Sequence, residues 1–282
     1  MTGLVFAVVL FAAFLHALWN SLLKSGSDKK TAMASVVLGH VPFGLIAFAL
    51  SPTPSAESWP YVLVGAAIHF LYQMLLMNAY RFGDLTQVYP VSRGIAPLIV
   101  ALVSVLVLGV SLSLFEGIAI ALIAIGITSF ALVGYGSNAP NAKAFWLAVA
   151  TGCMIAGYSL VDGLGARLAG TALGFFAWLT MLNGSFMALY LILNRGQKTP
   201  KEALKIDPWM ALIGGGSSFA AYALVIWSFT QAPIAAVTAL RETSIVFALL
   251  IGVTVLGERF SLQKLLATFL TLSGAALLRL SK

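Results

Sequence analysis

The stretch Val88-Tyr-Pro-Val-Ser-Arg-Gly-Ile-Ala-Pro-Leu-Ile-Val-Ala-Leu-Val-Ser-Val-Leu-Val-Leu-Gly109 decides how this chain is read. It is long enough to cross a bilayer, at roughly 20 residues per span, yet Arg93 lies inside the apolar run. A guanidinium in hydrocarbon costs about 2.5–3.5 kcal/mol on insertion scales, so it requires a partner or a wet cavity. The run from Ala236 to Gly257 echoes it, with Arg241-Glu242 inside a second apolar stretch. A shift of 148 positions (241 − 93) lays Arg93 on Arg241, Leu108-Gly109 on Leu256-Gly257, and Gly126 on Gly274. Two intramembrane arginines at matching places predict one site built from two halves.

Composition supports the membrane reading. The 282 residues are 60% hydrophobic and 9% charged, with a mean hydropathy of +0.99. Soluble domains carry about 25% charged residues, and so few cannot cover a globule. Met1–Leu23 lacks a basic start and ends in Trp19-Asn20 rather than a small-residue cleavage site, so it is expected to be the first span. The net charge of +7 does not point to nucleic acid, because most basic residues fall in short breaks between spans. Cys153 is alone, which excludes an intramolecular disulfide, and it is expected to be a small buried packing residue.

Ten apolar stretches long enough to span follow one another at about 4–23, 32–50, 60–79, 87–108, 113–134, 144–165, 171–193, 209–229, 235–256 and 261–280. The fold class expected is an all-α polytopic membrane protein of ten transmembrane helices, arranged as a 5+5 inverted repeat with halves 1–137 and 138–282. An odd number of spans per half makes the second half enter from the opposite side, the plan of many secondary transporters with midplane sites. In the same register His69 faces Ser217, Met74 faces Tyr222 and Ala79 faces Trp227, so helical plan supports the repeat more than identity does. With both termini outside, eleven basic residues fall in inner loops and three on the outer side, which the positive-inside rule favours.

Polar residues inside the spans nominate the site. His16 and Asn20 share a face of the first span, with Trp19 beside them; an interfacial Trp and a polar helix end are the competing reading. His69, Tyr72 and Gln73 form a polar stripe at i, i+3, i+4, as either cavity lining or helix–helix hydrogen bonds. Arg93 and Arg241 are expected about 6 Å from the centre of their spans, at 1.5 Å per residue, on opposite sides of the midplane. They contact either substrate or structural partners, Glu242 or Asp162 for Arg93. Glu242 should point about 100° away from Arg241 on a regular helix. Asp162, four residues after Tyr158, binds a cation, carries a proton or pairs with Arg167. Tyr222 and Trp227, with Trp178 and Asn183, add aromatic and polar groups suited to a small organic substrate. His40, before Pro42, is a kink or packing feature. Gly163, Gly165, Gly170 and Gly214-Gly-Gly216 are expected to allow close helix approach.

Leu256-Gly-Glu-Arg259, closing a span, resembles the drug/metabolite transporter superfamily, EamA type. So do the ten spans, the five-span repeat and His16-Ala-Leu-Trp-Asn20 with Lys24. The first half reads Gly109-Val110, without the acidic residue of Gly257-Glu258. The resemblance implies a secondary transporter of amino acids, other metabolites or toxic organic compounds. Members associated with phosphonate use are similar in length and layout, and a guanidinium holds phosphonate or carboxylate bidentately.

These readings predict a secondary active transporter of a small polar metabolite, an amino acid or a phosphonate-like or other organic anion, across the inner membrane. Spans 1, 3, 4, 6, 8 and 9 line its cavity. Arg93, Arg241, His69, Tyr72, Gln73, Tyr222, Trp227, Asn20, Trp19 and Tyr158 bind substrate; Glu242, Asp162 and His16 serve coupling, by protons or exchange, or gating. The alternative is an exporter of cationic or lipophilic toxic compounds, with Asp162 and Glu242 as cation sites. No catalytic motif, metal cluster or cofactor signature is present in the sequence, so an enzyme is not expected. The expected surroundings are lipid and a monomer or homodimer.

Overall fold

The computed structural model describes residues 1–25, 29–82, 85–133, 142–194, 199–206, 208–255 and 262–280. Among these residues all regular structure is helical. That follows from the solvent, since each backbone N–H and C=O in hydrocarbon needs a partner within its own segment. The long helices are α1 (Gly3–Ser25), α2 (Lys29–Leu50), α3 (Trp59–Phe82), α4 (Leu85–Leu106), α5 (Leu114–Val133), α6 (Ala142–Leu168) and α7 (Ala172–Leu193). A short α8 (Pro200–Ile206) follows, then α9 (Gly215–Gln231), α10 (Ile234–Arg241), α11 (Ser244–Thr254) and α12 (Leu262–Leu280).

Among the described residues, seven stretches are long and apolar enough to cross a membrane: Gly3–Leu22, Lys30–Leu50, Ala56–Ala79, Ala142–Leu168, Ala172–Leu193, Met210–Gln231 and Ile234–Thr254. Three shorter apolar stretches, Pro90–Leu106, Leu114–Ser129 and Leu265–Leu280, lie in α4, α5 and α12. The chain is a multi-pass membrane protein. Large apolar side chains such as Leu63, Leu102 and Phe269 point outward, as a lipid-facing surface requires.

Local chemistry sets several helix ends. Ser113 and Glu116 form a reciprocal capping box at the start of α5, with Ser113 N–H donating to Glu116 Oε2 at 2.9 Å and Glu116 N–H to Ser113 Oγ at 3.2 Å. Thr199 and Glu202 do the same for α8, in a segment where no helix was expected. Arg167 does not reach Asp162. Its Nε and Nη2 donate to the carbonyls of Phe229 and Ala232, each at 2.8 Å, and so cap the end of α9.

Packing follows a regular scheme. α2 lies on α7, and α5 on α12. α3 packs on α6 as α9 packs on α1; α4 packs on α6 as α10 and α11 pack on α1. Small residues make the tightest crossings. A Cβ on Gly126 would lie 2.9 Å from the Ala267 carbonyl oxygen, and one on Gly274 would lie 2.7 Å from that of Ala119. α5 and α12 therefore touch through backbone at both places.

Three expectations are corrected. The ninth apolar stretch is not one helix: α10 ends at Arg241, α11 begins at Ser244, and Glu242-Thr243 form a tight turn between them. There the ladder shortens to i→i−3, with N–H groups of Glu242, Thr243, Ile245 and Val246 donating to Ala239, Leu240, Glu242 and Thr243. Gly170 is a turn glycine with φ +70° and open space around it, not a packing contact. Cys153 is exposed on the outer face of α6 rather than buried, because the neighbours on either side of it already fill the interior face.

Candidate functional site

The two intramembrane arginines meet on one carboxylate. Arg93, from α4, places Nε 2.7 Å from Glu242 Oε2. Arg241, at the end of α10, places Nη2 3.2 Å and Nε 3.3 Å from Glu242 Oε1. All three side chains are nearly inaccessible, at 3%, 2% and 1% exposure. Adjacent residues on a regular helix face different ways. The Arg241–Glu242 pair forms here because the helix breaks between them, which corrects the expectation of a 100° separation. The structural pairing of Arg93 with Glu242 is thus realised, and it sits at the convergence point of the two arginine helices.

His16, on α1, completes this cluster. Its Nε2 lies 2.9 Å from Arg93 Nη2, and its Nδ1 lies 3.2 Å from Trp19 Nε1. Guanidinium and indole nitrogens only donate, and a neutral imidazole carries one N–H. Only one of the two contacts is a hydrogen bond at a time. The shorter one assigns Nε2 as acceptor from Arg93. Asn20 turns its amide back to the His16 carbonyl at 2.7 Å.

A second cluster surrounds Asp162 of α6, which is wholly buried. Its Oδ2 lies 2.8 Å from His69 Nε2 of α3 and accepts from the Tyr222 hydroxyl of α9 at 2.6 Å. Its Oδ1 has no hydrogen-bond partner among the described residues. Aromatic rings wall this carboxyl in. His69 stacks on Tyr158 with centroids 4.1 Å apart, and Tyr222 meets both rings edge-on at 5.2 and 5.7 Å. Tyr72 approaches Tyr158 at 5.6 Å.

Arg241 joins the two clusters. Its Cζ lies 5.8 Å from the centre of the Tyr158 ring and 5.9 Å from that of Tyr222. Both are within cation–π reach. One continuous chain of groups therefore runs from His16 and Arg93 through Glu242 and Arg241 to the tyrosines, Asp162 and His69. It draws on α1, α3, α4, α6, α9 and α10, the expected first, third, fourth, sixth, eighth and ninth spans. Arg93, Arg241 and Glu242 carry two positive charges and one negative, an excess of +1 at one end. The Asp162 carboxyl marks the other end.

The remaining candidates lie elsewhere. Gln73, one turn beyond His69, is buried and its Oε1 has no partner among the described residues. Trp227 packs at the edge of the main apolar core. Trp178 joins Trp59 and Phe48 in a separate aromatic group. Asn183 is buried in α7 with Oδ1 unpartnered among the described residues. His40 meets the ring of Phe219, as a packing role expects.

Residues 142–280 match the EamA-like transporter family. That half of the chain is EamA-like, which places the protein in the drug/metabolite transporter superfamily. A solved crystal structure shares its fold, with 18% identity and a TM-score of 0.76 over 100% of this chain and 98% of the other. No curated protein matches the sequence.

Two contributors to this EamA-like site were missed in the sequence. Phe176 of α7 packs on Tyr222 with centroids 5.3 Å apart. Gly65 of α3 makes room for the buried acid: a Cβ there would lie 2.5 Å from Asp162 Oδ1. Its position one turn before His69 on the same helix face was the available signal. The family's Gly257-Glu258 signature lies outside the described residues.

Proposed function

We propose that this EamA-like chain is a secondary active transporter that moves a small anionic or zwitterionic metabolite by alternating access. The observation that carries the reading is the meeting of Arg93 and Arg241, from two different helices, deep inside the bundle. Buried guanidinium groups in a membrane interior mark substrate or ion paths. A carboxylate or phosphonate fits their forked geometry. The Asp162 end, walled by Tyr158, Tyr222 and His69, suits the ammonium of a zwitterion, such as an amino acid, or a coupling proton.

The ten-helix plan belongs to the same proposal. Seven long and three shorter apolar stretches among the described residues support this count. Exchanging α1–α5 for α6, α7, α9, α10–α11 and α12 carries α2–α7 and α5–α12 onto themselves and the α3–α6 and α4–α6 pairs onto α9–α1 and α10–α11 with α1, which supports two inverted five-helix halves divided near residue 137. The discontinuous α10–α11 at the centre agrees, since broken helices line many transporter sites. The protein would lie in the inner membrane with both termini outside.

A cation exporter is the rival reading, favoured by Asp162 Oδ1, which has no hydrogen-bond partner among the described residues and lies within an aromatic wall. Flux of labelled amino acids and methylphosphonate into proteoliposomes holding only the purified chain separates them. Hydrogen bonds to charged groups contribute about 1.5–3 kcal/mol, or roughly ten- to a hundredfold. Arg93→Gln should lower anion flux by that factor with membrane insertion unchanged. Unchanged flux in that variant, or wild-type flux confined to organic cations, rejects the anion site.

A further inference from the structure

Glu242 occupies the place a substrate anion would take. It bridges Arg93 and Arg241 with its two oxygens, and the ion pair with Arg93 is the shorter, at 2.7 Å against 3.2 Å. It is also the one residue of the cluster that lies in the break between α10 and α11. There the backbone holds only i→i−3 bonds, so a small change in dihedral angles swings the side chain without unwinding either helix. Two hydroxyls flank the break. Thr238 Oγ1, one turn before, and Ser244 Oγ, two residues after, are buried and have no hydrogen-bond partner among the described residues.

We propose that Glu242 is a built-in stand-in for the transported anion: substrate enters by displacing this carboxylate from the arginine pair, and the vacated arginines recapture it when substrate leaves. The proposal rests on the transporter reading and adds the step by which the site fills and empties. When a carboxylate or phosphonate arrives, its oxygens take the places of Glu242 Oε1 and Oε2. The released carboxylate turns about the break and accepts from the Thr238 and Ser244 hydroxyls. No proton moves and the number of anions on the arginines stays constant. A site lined by two buried guanidinium groups is therefore never left without a counter-charge, which would be costly in hydrocarbon. The exchange also links occupancy to the shape of the α10–α11 junction, since the residue that leaves the site is part of the hinge.

A tethered carboxylate competes at an effective concentration of about millimolar or above. It reduces apparent affinity by the fraction of time the site is open. The test is anion-dependent thermal stability of the purified full chain in nanodiscs, with sodium acetate and methylphosphonate as probes. Sodium chloride and methylammonium chloride serve as controls. Glu242→Ala should melt lower than wild type and be restored saturably by acetate and methylphosphonate. Half-effect should fall at a concentration at least about tenfold below that needed by wild type. Glu242→Gln keeps the volume and should show the same gain if the alanine variant fails to fold. Arg93→Gln combined with either change should abolish the response. Equal anion dependence in wild type and the Glu242 variants, or no response in any of them, overturns the proposal. Because the readout is binding, a failure of flux in the wild type counts against the transporter reading alone. Normal flux with no anion gain in the variants counts against the stand-in alone.

Discussion

At the residue scale, Asp162 is the group with the most demanding surroundings. Its contacts with His69 and Tyr222 both fall on Oδ2, and Oδ1 faces Gly65. Adding a Cβ there should be costly, because overpacking a tight interior typically costs about 1–3 kcal/mol. Gly65→Ala should lower the melting temperature and the transport rate together, while Gly117→Ala, where a Cβ meets nothing, should leave both unchanged. Asp162→Asn keeps an acceptor for Tyr222 and removes the charge. In proteoliposomes an imposed pH gradient should drive accumulation by wild type and not by this variant, with exchange of internal for external substrate retained. Accumulation by the variant at the wild-type rate removes Asp162 from coupling. The arginines were legible because a guanidinium in an apolar run must be accounted for. The contacts of Asp162 were not, because His69 and Tyr222 lie 93 and 60 residues away on other helices.

At the scale of the element, the apolar stretches announced themselves by length alone, and most boundaries fall within a few residues of expectation. The break at Glu242-Thr243 did not. It contains neither Gly nor Pro, so no local signal marks it. What accompanies it is tertiary: at the turn the Glu242 side chain meets Arg93 of another helix. In contrast, Pro42 lies within α2, and Pro90 and Pro97 within α4, all without ending their helices. Membrane helices tolerate such prolines where neighbours satisfy the freed groups. Hydrogen exchange by mass spectrometry should find amides of 242–246 exchanging ahead of those in the middle of α10 and α11. Uniform protection across the three segments would argue that the junction is rigid.

At the scale of the molecule, the proposed orientation rests on charge asymmetry, and the packing sets what stays fixed. Cys153 is the only cysteine in the sequence and faces outward, so Cys153→Ser should yield a stable cysteine-free chain. On that background, Thr2→Cys and Lys282→Cys should both react with a membrane-impermeant maleimide added to intact cells. Labelling of either only after the membrane is opened reverses the orientation. The all-helical membrane plan was readable because so apolar a chain must satisfy its backbone groups within its own helices. The joining of the two charged clusters through Tyr158 and Tyr222 was not readable, since it depends on side-chain reach across the bundle interior.

The α5–α12 crossing bears on how such a bundle opens. Gly126 and Gly274 each press on the opposite backbone, so the spacing of that pair cannot relax by a rotamer change. In the proposed transport cycle it would act as a keel: whatever rocks to admit a substrate would do so around a seam that neither widens nor slides.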